Sequence, residues 1–146
     1  MEMTTLEQLE ELFATYDQQA KTAREKSSYF ATVLGIGNDY RSHPCHDQFY
    51  EAVGQCLAQF LEQEPDAQAV APVLQWLLQI ASQHKDEPTY WYLYAMHGYA
   101  GGLIERAEPA LCAQLHAWYN QAYPRIERMP VQNTIYKALG KRGKKG

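Results

Sequence analysis

The densest run of reactive side chains in this sequence is Arg41-Ser42-His43-Pro44-Cys45-His46-Asp47. Proline fixes φ near the helical value and lacks an N–H, so Pro44 suits the first turn of a helix. Ser42 is the expected N-cap of that helix. His43, Cys45 and His46 then lie in or beside its first turn, where unsatisfied N–H groups and the helix dipole favour negative charge. Such a place stabilises a thiolate and holds an imidazole neutral, which suits a nucleophile–base pair or a metal site. Cys45 and His46 are adjacent, however, so their side chains diverge by about 100° around a helix. The competing reading is a helix start in which Cys45 packs as a small hydrophobe.

A second metal ingredient is Cys112-x3-His116, an i, i+4 pair on one helix face. With His43 or His46 it would make a three-ligand site within a bundle. The sequence has no Cys-x-x-Cys, no His-Glu-x-x-His and no Glu-x-x-His, and Cys112 shares the apolar spacing of Leu115 and Tyr119. No metal or cofactor is therefore assigned. A candidate pocket wall is Tyr90, Tyr94 and His97, beside Gly98, Gly101 and Gly102. Glycine costs about 1 kcal/mol in a helix interior, so three in five residues imply close helix–helix approach or a bound small molecule. Gly35-Ile36-Gly37 lacks the downstream Lys-Ser/Thr of a phosphate loop. No catalytic set is complete.

Arg41 and His46 also form an Arg-x4-His pair. This is similar to the motif of the helical HEPN ribonucleases. The resemblance covers these two residues and implies an arginine that steadies phosphate and a histidine that handles protons.

The elements that must position these residues are helices. Pro44, Pro65, Pro88, Pro109 and Pro130 punctuate the chain at intervals of 21 to 23 residues, each followed by an apolar-periodic stretch. Helices are expected over about 5–34, 44–61, 66–84, 88–106, 109–123 and 131–139. Pro72 should kink or restart the third, and Asp86 can cap the fourth. The first carries an a/d line, Leu6, Leu9, Phe13, Tyr16, Ala20, Ala23, Ser27, Phe30 and Leu34, over four heptads. No segment alternates polar and apolar as a strand would. The fold expected is all-α: an irregular bundle of five to six helices with a long N-terminal heptad-patterned helix, or alternatively a short HEAT-like array.

The 146 residues, 46% hydrophobic with eleven Tyr, suffice for one domain over 1–140 with a packed core. Residues 141–146 read as a basic disordered tail. The last ten residues hold five of the thirteen Lys and Arg, leaving eight bases against seventeen acids elsewhere. An acidic body makes nucleic acid an improbable partner except weakly through that tail. No apolar run approaches the roughly 20 residues of a membrane span. The acidic start and three scattered cysteines fit a cytoplasmic protein. The function expected is contact between helix faces and a protein partner, including a homodimer through Leu6, Leu9, Phe13, Tyr16 and Ala20. The alternatives are a metal- or thiol-site protein built on His43, Cys45 and His46, and an Arg-x4-His ribonuclease-like protein.

Overall fold

A computed structural model describes residues 3–33 and 43–145, with side chains over 3–26 and 43–145. Arg41, Ser42, Leu34, the 35–39 loop and the side chains of Ser27 and Phe30 lie outside the described residues. Seven α-helices follow one another: α1 (Thr5–Val33), α2 (Pro44–Glu62), α3 (Ala67–Gln79), α4 (Tyr90–Ala95), α5 (Gly101–Arg106), α6 (Pro109–Ala122) and α7 (Pro130–Gly143). Tighter 3-10 turns occupy Ala81–His84, Met96–Tyr99 and Arg125–Glu127. Among the described residues there is no strand, and the protein is all-α. None of its helices is long and apolar enough to cross a membrane, among the residues described. The chain divides into two compact units, Met1–Cys56 and Leu57–Gly146, with the boundary inside α2.

In the first unit, Thr4 opens α1 by accepting the Glu7 N–H on Oγ1 at 3.1 Å. Along α1, Leu9, Tyr16, Ala20 and Ala23 are buried, while Leu6 and Phe13 are half-buried. The Tyr16 ring lies flat on Phe49 of α2, centroids 4.2 Å apart and planes 2° apart. Phe13 approaches the same ring at 6.4 Å. Burying each of these large rings contributes roughly 2 kcal/mol. The residues expected to hold a second copy are thus largely occupied within the chain itself.

In the second unit, Asp66 caps α3, its Oδ1 accepting the Ala69 N–H at 2.9 Å. Pro72 neither ends nor restarts the helix, which runs on to Gln79. Pro72 is exposed. The missing N–H would have bonded the carbonyl of Gln68, itself at the surface, where water replaces that bond. The helix expected over 88–106 is instead broken into α4, a 3-10 turn and α5. Gly98, with its low helix propensity, lies in that turn, whereas Gly101 and Gly102 open α5. Asp86 caps nothing here. The helix begins at Tyr90 behind Thr89, and neighbouring Glu87 instead meets His84 Nδ1 at 2.7 Å.

Close approach explains some glycines and not others. A Cβ on Gly102 would stand 2.9 Å from Leu61 Cδ1, but one on Gly101 would meet nothing within 4 Å. The tightest backbone approach is elsewhere: a Cβ on Gly143 would lie 2.9 Å from the Cα and N of Ala113, where α7 crosses α6. α7 therefore runs to Gly143, three residues into the expected tail. There Arg142 Nε donates to the Ala107 carbonyl at 3.0 Å.

Candidate functional site

Each reactive residue at the start of α2 is engaged in holding the first unit together. His43 takes the capping position directly before Pro44, its Nδ1 accepting the Cys45 N–H at 3.1 Å. An accepting Nδ1 places the ring proton on Nε2. Cys45, 1% exposed, faces inward. Burial pushes its thiol up, and the hydrogen bond of its own backbone, which acts the other way, does not overcome that. This reverses the stabilised thiolate expected from the helix dipole alone. His46 is 4% exposed and its Nδ1 lies 2.7 Å from the Tyr16 hydroxyl. Arg41, the other half of the Arg-x4-His pair, lies outside the described residues. A groove of about 250 Å³ runs beside this turn, walled by Gln18, Thr22, Lys26, His43 and Gln48 over Ala23 and Cys45.

In the second unit, Cys112 and His116 share a helix but not a neighbour. Cys112 is fully buried, its Sγ directed toward the Ile104 carbonyl at 4.0 Å. His116 stacks on Tyr136 at 4.1 Å, in a space that requires Gly140 beside it. Within neither unit, among the described residues, are three His, Cys, Asp or Glu side chains grouped to hold a metal ion.

Tyr90, Tyr94 and His97 do come together. Tyr94 meets Tyr90 edge-on at 5.6 Å and stacks on His97 at 5.0 Å. Their spacing along α4 and the following turn puts all three on the inner face, and all three are buried. Around them stand residues that no local spacing singles out. Tyr119 of α6 bonds His97 Nδ1 through its hydroxyl at 2.8 Å. The Tyr123 ring packs 5.0 Å from both Tyr94 and His97, and its hydroxyl donates to the Leu78 carbonyl at 2.5 Å. Gln132 of α7 donates Nε2 to the Tyr94 carbonyl at 3.2 Å.

This interior is electrically quiet but not satisfied. Burial drives the His97 imidazole down to about 3, opposed only by the Leu78 carbonyl. Burial also raises the Tyr94 phenol to about 12 and pushes Tyr90, Tyr119 and Tyr123 higher still. The rings are thus neutral near pH 7. Yet the Tyr94 hydroxyl, His97 Nε2, Gln132 Oε1, Thr89 Oγ1 and two nitrogens of Arg128 are buried without a hydrogen-bond partner. Buried polar groups are almost always paired, so a cluster of orphans marks this part of the unit. Compared with family models, curated proteins and solved structures, the chain matches none.

Proposed function

We propose that the chain is a non-catalytic helical protein that binds a protein partner, and that the partner is a second copy of itself. The observation that carries this reading is an apolar ridge on the second unit. Trp91 is 49% exposed, Ile126 94%, Met129 47% and Val131 49%. These are four of the six exposed large apolar side chains among the described residues. Tyr90, the neighbour of Trp91 in α4, reaches Glu127 Oε2 at 3.4 Å. Exposed apolar side chains gathered on one unit in this number favour an interaction surface there. Arg125 and Glu127 flank Ile126, so the ridge carries both charge signs around one apolar knob. A two-fold axis through such a patch brings each charge to its opposite. With the α1 line occupied internally, the ridge is the better candidate for the expected self-contact.

Sedimentation between about 1 and 100 µM tests it. The wild-type mass should climb toward twice the chain mass, and Ile126→Asp should hold it at one. A single-chain mass at every concentration overturns the reading.

A further inference from the structure

Arg128 is a buried charge with no counter-charge. It is 8% exposed, its guanidinium lies 4.4 Å over the Tyr136 ring, and Nη2 donates to Asn120 Oδ1 at 3.3 Å. Nε and Nη1 are buried and unpartnered. Among the described residues the ion pairs are Lys21–Asp17 and His84–Glu87, so no carboxylate pairs with this guanidinium. An unpaired buried cation is among the costliest arrangements a core can hold.

The geometry left open is specific. A guanidinium offers two parallel-donor edges, Nε with Nη2 and Nη1 with Nη2, and Nη2 carries one hydrogen for each. Asn120 takes one of those hydrogens. Whichever it takes, one complete two-donor edge remains, the fork that grips a carboxylate. The second unit also buries an unpartnered acceptor in Gln132 Oε1, on the side chain whose Nε2 donates to the Tyr94 carbonyl. The charge of Arg128 reaches both the Tyr94 and Tyr119 phenols.

We infer that this cluster is the binding site of a small organic monocarboxylate with an apolar, ring-sized body. The free edge of Arg128 takes the carboxylate. Gln132 Oε1 accepts from an N–H or O–H of the ligand. One guanidinium balances one carboxylate. A phosphate dianion would leave a second charge among aromatic rings. Water would meet single atoms but bring no counter-charge. Access is through the 124–129 connection. Its side-chain hydrogen bonds, Tyr90 to Glu127 at 3.4 Å and Arg128 to Asn120 at 3.3 Å, are longer than the usual 2.7–3.0 Å. The inference does not depend on self-association.

Thermal unfolding of the full chain, with benzoate, its neutral isostere benzamide, and inorganic phosphate as probes, tests it. Benzoate at ten times its dissociation constant should raise the midpoint by about 3 °C, with benzamide and phosphate leaving it in place. Arg128→Met should abolish the benzoate shift while unfolding no earlier than wild type in ligand-free buffer, because it removes an unpaired charge. Equal shifts from benzoate and benzamide, a phosphate shift as large as that from benzoate, or no shift from benzoate up to 50 mM would each overturn the assignment. The three-probe comparison uses the wild-type protein, so the outcome stands even if the variant fails to fold.

Discussion

The Tyr119 hydroxyl and His97 Nδ1 meet at 2.8 Å inside the second unit, and His97 has no exposed surface. With the phenol pushed up and the imidazole pushed down by burial, the phenol donates and the neutral ring accepts. This bond ties α6 to the 3-10 turn that separates α4 from α5.

Acid should therefore weaken the fold through His97. The unfolded chain takes up the imidazole proton near 6.5, whereas the folded chain resists it down to about 3. Between those values the unfolded state holds more protons, so stability falls as pH falls, by about 1.4 kcal/mol per pH unit at most. The full contribution is present above pH 6.5. Urea unfolding at pH 7, 6, 5 and 4 should show this slope in wild type, and the slope should be shallower by about that amount in His97→Asn. Equal slopes would mean the imidazole charges in the folded state.

Tyr16→Phe separates hydrogen bonding from packing in the first unit. The substitution keeps the ring flat on Phe49 and removes the hydroxyl that meets His46 Nδ1 at 2.7 Å. The expected loss is about 1–2 kcal/mol, that of one buried hydrogen bond. Phe49→Ala removes the packing partner and should cost about 3–5 kcal/mol. Denaturant midpoints of the two variants measure both, and a larger loss from Tyr16→Phe would invert the ranking.

The three thiols should react in an order set by burial. Burial raises all three, with the backbone opposing it at Cys45 and Arg142 opposing it at Cys112. Cys56 is half-buried, whereas Cys45 and Cys112 are buried. A disulfide reagent at pH 8 should consume one thiol per chain in the native protein and the other two only in denaturant. Rapid labelling of Cys45 in the native state would restore the activated-thiol reading of the α2 start. In the same turn, His43→Ala should cost about 1 kcal/mol as a lost cap, while His43→Ser or His43→Asp should recover it.

The contrast at Cys45 shows where sequence reasoning succeeded and stopped. Helical periodicity is local, so the burial of Leu9, Tyr16, Ala20 and Ala23 in α1 and of the Tyr90–Tyr94–His97 face was legible from spacing. The pKa of a first-turn thiol depends on depth as well as on the dipole, and depth is set by residues such as Tyr16 and Phe49 on other turns. Arg128 is harder still. It sits in a link between helices where charge usually means solvent, and its burial depends on Asn120 and Tyr136, eight residues away on either side. The break after α4 contains Gly98, but the same run of glycines also fits a close crossing, which Gly102 provides and Gly101 does not.

The crossing of α6 and α7 makes the last prediction, at a residue the sequence assigned to a loose tail. A Cβ on Gly143 would fall 2.9 Å from the Cα and N of Ala113. Those are backbone atoms of a helix interior and have no rotamer to yield. Ordinarily Gly→Ala inside a helix stabilises by up to about 1 kcal/mol. Here the contact must be relieved by moving the end of α7, which would pull Arg142 Nε from the Ala107 carbonyl. Gly143→Ala should thus lower stability by about 1 kcal/mol or more, and amide exchange should speed up over 139–144 while α3 is unaffected. Truncation after residue 140 should have a similar effect, since it removes the same contact. A stabilised Gly143→Ala would show that the end of α7 stands clear of α6 in solution.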